Sequence, residues 1–169
     1  IACKTFDEVF SKANEDEEIR SIIPESNKTT GNIGVEYLIF KYRLNIYEEK
    51  FFPIHHHLLG LSGSKIEDIK NVYSHAQGLS QCSNFIKKNN FFENVRADTA
   101  GSAKYISENK NKNEAAIASK QSAKIYNLKI LASSIEDEKK NVTRFLLMGK
   151  SVMQPELKKD KYITSFLFK

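Results

Sequence analysis

The chain of 169 residues has few cysteines and no long apolar run, and both shortages narrow the class of protein it belongs to. Cys3 and Cys82 lie far apart and have no CxxC partner. The pattern predicts two reduced thiols, with a disulfide as the alternative. No apolar stretch approaches the roughly 20 residues that span a bilayer, and no signal-peptide pattern is visible. We therefore expect a cytoplasmic protein without a membrane partner.

Internal repeats and low-complexity tracts are also absent, while 40% of the residues are hydrophobic. This composition suits one ordinary core or two small lobes and argues against disorder. The formal charge of +5 suits an anionic ligand and could also suit nucleic acid. The basic residues are scattered, however, and the densest groups, at 139–140 and 158–161, are not interleaved with aromatic residues. We predict a solvated basic surface and no nucleic-acid partner.

Both ends of the chain look like interrupted elements. The chain starts at Ile1 rather than Met and enters directly into a strand-like pattern. Residues 162–168 form a second strand-like pattern that stops in mid-element. We expect a fragment truncated at both ends.

Short apolar strands alternate with amphipathic helices, which is typical of an α/β fold with largely parallel pairing. Thr5 is a predicted N-cap, with Glu8 as the second half of a capping box. Pro24 is predicted to stop the first strand. A helix over 32–43 is expected to place Ile33, Tyr37 and Phe40 on one side.

The remaining elements follow from the same patterns. The predicted helices after residue 43 are 66–70, 77–89, 100–108 and 120–126. The predicted strands are 19–23, 44–61 with a break near Pro53, 71–74, 94–98, 114–118, 128–132 and 142–148.

Three junctions share one design, in which a strand ends, a small polar residue follows and a helix begins. They are Ser74-His75-Ala76-Gln77, Asp98-Thr99-Ala100-Gly101 and Ala118-Ser119-Lys120-Gln121. Such junctions collect on one rim of an α/β sheet, where ligands bind, and the free N–H groups of the helix starts favour carboxylates or phosphates. The alternative is that Ser74, Thr99 and Ser119 are ordinary N-caps. Either interpretation fits the sequence.

Two further segments contain side chains that can bind a ligand or take part in catalysis. In Thr143-Arg144-Phe145 a hydroxyl can donate and accept a hydrogen bond and a guanidinium can clamp a carboxylate; an ordinary surface strand is the alternative. The run 55–57 is three histidines, but consecutive strand residues face alternate sides, so they do not easily chelate one ion. We predict no metal site.

Residues 141–145, Asn-Val-Thr-Arg-Phe, resemble the Asn-x-Thr-Arg-Phe signature of the prephenate dehydratases. Other segments resemble the family in the family's own order. Residues 53–59 resemble its Pro-x-x-x-x-Leu strand, and residues 73–82 its Ser-His-Pro-Gln-Ala-Leu-x-Gln-Cys segment. Residues 99–103 resemble its Thr-Ala-x-x-Ala helix start, and residues 115–137 the run before the signature. Each piece is weak alone, whereas the ordered set is specific.

The chain departs from the family at one loop. Where the family has Pro-x-Glu-Asn-Ser-x-x-Gly, residues 24–31 read Pro-Glu-Ser-Asn-Lys-Thr-Thr-Gly. Asn27 and Gly31 keep their places, but Ser26 stands at the family's Glu and Lys28 at its Ser. Any role of that Glu is therefore not carried over. Ala76 replaces a family Pro, which affects only loop stiffness.

The resemblance implies two α/β lobes like those of type II periplasmic binding proteins, with the active site in the cleft between them. We expect a catalytic domain over 1–152, with one lobe made of 1–54 and 134–152 and the other of 55–133. A linker over 153–161 and the first strand of an ACT-like regulatory domain over 162–169 are expected to follow.

The resemblance also implies a reaction, the removal of water and carbon dioxide from prephenate to give phenylpyruvate, without metal or organic cofactor. It assigns Thr143 to the departing hydroxyl, and Phe145 could pack against the ring. The residues expected to contact substrate are Asn27, Ser74, His75, Gln77, Thr99, Ala100, Arg144 and Phe145. For Arg144 a purely structural role stays open, because strand alternation turns it away from Thr143.

Expected partners of the full-length protein are prephenate, allosteric phenylalanine and further copies of the chain. Two alternatives stay open. One is arogenate dehydratase, whose substrate carries an amino group in place of the keto oxygen. The other is a non-catalytic anion-binding protein on the same fold, which the altered Ser26 and Lys28 make plausible.

Overall fold

The computed structural model describes residues 3–152, which form two compact α/β units. Among the described residues, the first unit combines 3–52 with 142–152, and the second comprises Pro53–Asn141. The predicted linker and the predicted ACT-like strand lie outside the described residues.

The elements alternate between helix and strand along most of the chain. The helices are α1 (Phe6–Glu15), α2 (Glu36–Tyr42), α3 (Ala76–Ser80), α4 (Ser83–Lys88), α5 (Thr99–Asn109) and α6 (Lys120–Ile125), with a 3-10 turn at Ile66–Asp68. The strands are β1 (Ser21–Asn27), β2 (Gly31–Asn32), β3 (Asn45–Pro53), β4 (His57–Gly60), β5 (Asn71–Ser74), β6 (Phe92–Val95), β7 (Glu114–Ala118), β8 (Lys129–Ala132) and β9 (Val142–Gly149).

The first unit is a four-stranded sheet in the order β2-β1-β9-β3, packed against α1 and α2. Helix α1 begins where the sequence predicts, since the Thr5 hydroxyl accepts a hydrogen bond from Glu8 N at 3.1 Å. Phe10 and Ala13, three residues apart on one helix face, pack on Ile23 of β1 and Met148 of β9. This core holds β1 and β9 side by side.

Two predictions for the first unit are wrong. Pro24 does not stop β1, because the strand continues past it through a bulge between Pro24 and Ser26, a place where a sheet tolerates proline. In α2 the buried residues are Leu38 and Ile39, whereas Tyr37 is 65% exposed. The predicted face failed because the helix begins only at Glu36, which leaves too few turns to reveal a period.

The second unit is a five-stranded sheet in the order β6-β5-β7-β4-β8. The strand residues alternate between two cores. One face packs Val72 and Ile117 against Leu79 of α3 and Ile86 of α4. The opposite face packs Ala116 against Ile106 of α5 and also includes Ala103 and Ala123. Because helices cover both faces, the central strand β7 is buried along its whole length.

The expectation of largely parallel pairing is wrong. Strand β1 pairs antiparallel with both β2 and β9. In the second unit β5 runs parallel to β6 and β7, but β4 runs antiparallel to β7 and β8. The alternation of elements in the sequence does not reveal which strands become neighbours.

The predicted helix 77–89 is two helices. The Asp137 carboxylate accepts hydrogen bonds from Ser83 Oγ at 3.0 Å and from Asn84 N at 3.2 Å, so it caps a new helix start. The predicted strand 94–98 lies at Phe92–Val95 instead, because Asp98 serves as the N-cap of α5.

Candidate functional site

Asn27 and Thr143 form the polar centre of the first unit. They are cross-strand partners at the end of β1 and the start of β9, 116 residues apart in the chain. Asn27 Nδ2 donates to Thr143 Oγ1 at 2.8 Å, and each residue is only 7% exposed. The family-like loop and the family-like signature therefore meet in one hydrogen bond.

The orientation of the Asn27 amide is fixed by its own loop. Asn27 Oδ1 accepts from Thr29 N at 2.9 Å and from Thr30 N at 3.1 Å, an Asx turn that only an oxygen can make. The Nδ2 group must then face Thr143. Since the Thr143 oxygen accepts this bond, its own proton is left to donate toward a ligand.

Arg144 contacts carboxylates of the protein. Its Nε donates to Glu49 Oε2 at 2.7 Å, and an Nη1 hydrogen reaches Glu25 Oε2 at 3.3 Å. Phe145 meets Phe52 edge-to-face, with ring centroids 5.4 Å apart. Arg144 is thus anchored to β1 and β3, and Phe145 already has an aromatic neighbour.

A depression of about 330 Å³ opens beside Arg144. Its lining residues are Ser26, Asn27, Lys28, Phe51, Val142 and Arg144. Thr143 does not line it, although its partner Asn27 does. The two positions that depart from the family pattern, Ser26 and Lys28, both border this depression.

In the second unit, Ser74 and Thr99 approach each other across a glycine. Ser74 is fully buried and donates from Oγ to Ile117 O at 2.7 Å. A Cβ on Gly78 would lie 2.7 Å from Ser74 Oγ and 3.5 Å from Thr99 Cγ2. The absence of a side chain at Gly78 therefore brings the starts of α3 and α5 together.

The three predicted junctions differ in how their helices are capped. Ser119 caps α6, as its sequence position suggests, by accepting from Ser122 N at 3.2 Å. The alternative role of Ser74 and Thr99 as caps is wrong: His75 accepts from Gln77 N at 3.3 Å, and Asp98 accepts from Gly101 N at 2.6 Å. In each case the cap is the residue one place away, because Ser74 closes β5 and Thr99 already begins α5.

These caps influence what the rim can bind. His75, Gln77 and Ala100 are exposed, and Thr99 is half-buried, so their groups are accessible within the second unit. The Asp98 carboxylate, however, occupies the first turn of α5. An anionic ligand at that helix start would compete with a carboxylate of the protein.

Gln81 is a residue that the sequence alone did not single out. Its Oε1 accepts from His56 Nε2 at 2.7 Å and from Asn141 Nδ2 at 3.1 Å. Asn141 O in turn accepts from Ile54 N at 2.9 Å. Gln81 therefore ties the first residue of the Asn-x-Thr-Arg-Phe segment to the histidine run. The signal available beforehand was that both Gln81 and Asn141 are fixed positions of the resembling segments.

The three histidines have three separate partners. His55 Nδ1 lies 2.8 Å from Glu136 Oε1, His56 meets Gln81, and His57 Nδ1 accepts from Ser134 N at 3.3 Å. Burial lowers the pKa of His57. Within residues 3–152 no group of three or more His, Cys, Asp and Glu side chains is arranged to hold a metal ion.

A comparison with known protein families matches most of the chain to one family. The prephenate dehydratase family model matches residues 1–152. The chain belongs to the prephenate dehydratase family. No helix within the described part of the chain is long and apolar enough to cross a membrane.

Curated relatives carry two activities in their names. The chain is 38% identical to arogenate dehydratase 2 of Petunia hybrida over 169 residues, which covers 99% of the chain and 43% of that protein. It is also 38% identical to the prephenate dehydratase of Methanocaldococcus jannaschii over 152 residues, covering 89% of the chain and 54% of that protein. The chain thus spans about half the length of these relatives.

Solved structures share the fold. A prephenate dehydratase from Staphylococcus aureus superimposes with a TM-score of 0.80 at 27% identity, covering 90% of this chain and 57% of that one. A prephenate dehydratase from Arthrobacter aurescens in complex with L-Phe superimposes with a TM-score of 0.83 at 26% identity, covering 94% and 54%.

Proposed function

We propose that this chain carries the catalytic part of a prephenate dehydratase, which converts prephenate to phenylpyruvate, water and carbon dioxide. The hydrogen bond between Asn27 and Thr143 is the observation that carries the proposal. It joins two segments that resemble the family, and it supplies a buried hydroxyl whose proton is free to donate.

Thr143 acts on the departing ring hydroxyl in this proposal. A threonine hydroxyl has too high a pKa to be a strong acid, so its contribution is polarisation or relay of a proton. The bond that Thr143 Oγ1 accepts from Asn27 strengthens its own O–H as a donor, because linked hydrogen bonds polarise one another. Aromatisation of the ring drives the reaction, so a modest donor is sufficient.

The remaining proposed contacts bind and orient the substrate. We assign its carboxylates to the rim of the second unit, with His75 and Gln77 at the start of α3 as the direct contacts. Thr99 and Ala100 lie beside Asp98, which occupies the start of α5, and Ser74 is bonded to Ile117 O, so these three shape the rim. Phe145 packs against the ring in this proposal. Arg144 keeps N–H groups beyond the two that bond Glu49 and Glu25, so a direct contact with substrate is compatible with its anchoring.

Arogenate dehydratase is the second candidate function, and the petunia relative named for that activity favours it. Both substrates would lose the same hydroxyl and carboxylate, so Thr143 would serve either. Purified protein assayed with prephenate and then with arogenate separates the two candidates. Binding of either compound without turnover would instead identify a non-catalytic binding protein.

The prediction for the site is that Thr143→Ala lowers kcat with either substrate by roughly 10²-fold, the lower range for loss of a proton-transferring group. Thr143→Ser keeps the hydroxyl and is expected to retain most of the turnover. Thr29→Ala, a nearby threonine that contributes only its backbone N–H to the Asx turn, is the control. Unchanged turnover in Thr143→Ala would remove Thr143 from the mechanism.

L-Phenylalanine is the proposed allosteric ligand of the full-length protein, and the Arthrobacter structure in complex with L-Phe supports it. We propose that this ligand binds an ACT-like region. We also propose that the full-length chain assembles with further copies of itself and that it is located in the cytoplasm. Calorimetric titration of residues 1–152 with L-phenylalanine is expected to show no binding. Binding by this fragment would contradict the assignment.

A further inference from the structure

The bulge in β1 changes the direction of one carboxylate. Pro24 pairs with Phe145 and Ser26 pairs with Arg144, so two steps along β1 match one step along β9, and Glu25 is the extra residue. In a regular strand Glu25 and Ser26 would point to opposite faces. A bulge breaks this alternation and can re-aim the side chain of the inserted residue.

The re-aimed Glu25 side chain lies on the Ser26 side of the strand. Ser26 Oγ donates to Glu25 Oε2 at 2.6 Å, and Arg144 Nη1 donates to the same oxygen at 3.3 Å. The Glu25 side chain is only 15% exposed, so this contact is partly shielded from solvent. Glu49 holds the other side of the same guanidinium through Nε at 2.7 Å.

Position 26 is where the family pattern has its glutamate. Since Ser26 is the cross-strand partner of Arg144, a carboxylate at 26 would stand directly beside the guanidinium. We infer that Glu25 takes over this place: the bulge and the Ser26 hydroxyl bring its carboxylate to Arg144. The inference rests on the proposed function and makes Glu25 a positioning residue. It acts through Arg144 and Ser26, next to the Asn27–Thr143 pair.

Moving the carboxylate by one residue tests this inference. Glu25→Gln is expected to lower kcat/KM roughly tenfold, because the Arg144 guanidinium, a proposed substrate contact, loses a charged hydrogen bond that holds it in place. The double variant Glu25→Gln with Ser26→Glu is expected to recover to within about threefold of the unaltered protein, a small residual cost for a relocated charge. Failure of this rescue, with both variants folded by circular dichroism, would overturn the inference.

Glu49→Gln is the matched control, since it removes one carboxylate from the same guanidinium. Adding Ser26→Glu to Glu49→Gln is expected to give no recovery, because the new carboxylate would crowd Glu25 rather than replace Glu49. Equal recovery in the two backgrounds would mean that any added negative charge suffices, and the assignment to Glu25 would be wrong.

Urea unfolding gives a second readout that needs no turnover. The urea midpoint is expected to fall in Glu25→Gln and to recover in the double variant. In Glu49→Gln it is also expected to fall, and adding Ser26→Glu should not restore it. If the unaltered protein converts neither prephenate nor arogenate, the proposed function fails, and the unfolding midpoints alone decide whether Glu25 occupies the family's place.

Discussion

Burial sets the reactivity of single side chains in this chain, and its two thiols differ accordingly. Cys82 is fully buried, and burial, together with the nearby charges of Asp137 and Glu136, raises its pKa to about 12. Cys3 is only half-buried. Because the thiolate is the nucleophile, iodoacetamide at pH 8 is expected to label Cys3 and to spare Cys82, as read by peptide mass spectrometry. In urea both should react, and labelling of folded Cys82 at the rate of Cys3 would contradict the assignment.

At the same scale, the sequence singled out both members of the Asn27–Thr143 pair but not the residues around them. Thr143 and Asn27 could be chosen because each sits in a family-like segment, although their 116-residue separation gives no hint of the hydrogen bond. Glu25 could not be chosen. In a regular strand its side chain would face away from that of Ser26, and the local sequence does not predict the bulge after Pro24.

The first helix offers a direct test of an element that the sequence did predict. Thr5→Ala removes the hydroxyl that accepts from Glu8 N and is expected to cost about 1 kcal/mol of unfolding free energy, the usual value of an N-cap. Ser11→Ala, on the same helix and near the surface, is the control and should change stability by at most about 0.5 kcal/mol. Urea denaturation measures both, and equal midpoints would mean that the cap is not used.

Element boundaries were lost where a contact distant in sequence decides them. The helix predicted over 77–89 ends early because Asp137, more than fifty residues on, caps Ser83–Lys88 as a separate helix. By contrast Asn71–Ser74 and Glu114–Ala118 have the predicted bounds, and each contains a short apolar segment that the local sequence shows. A local sequence pattern predicts the bounds of a helix or strand only when no side chain distant in sequence caps or interrupts that element.

At the scale of the whole molecule, composition and pattern predicted an α/β protein but not its strand pairing. Strand β4 lies between β7 and β8 and runs antiparallel to both, so β7 is parallel to one neighbour and antiparallel to the other. The same alternation of strands and helices in the sequence is compatible with a sheet whose strands are all parallel. Neighbour relations depend on which faces pack, and that information is distributed over the whole chain.

The second unit should lose stability in acid in two stages. Burial lowers the pKa of His57 from its ordinary 6.5. As the pH falls below 6.5, the unfolded chain therefore binds a proton at His57 more readily than the folded chain does, and the free energy of unfolding decreases. Burial alone would raise the pKa of Glu136, but hydrogen bonds from His55 and from His56 N outweigh it and leave the pKa below 4.5. The contribution of Glu136 is therefore present above that pH and is lost as the pH falls through the folded-state pKa.

His57→Asn separates the first stage from the second. The Asn oxygen can still accept from Ser134 N, as His57 Nδ1 does, but it does not titrate. As the pH falls below 6.5 the unaltered protein should lose unfolding free energy from this group, and the variant should lose less. The exposed His75, replaced by Asn, is the matched control, since it is the same substitution at a surface position. Urea unfolding measured at several pH values decides the matter: parallel curves for His57→Asn and the unaltered protein would show that His57 does not drive the first loss.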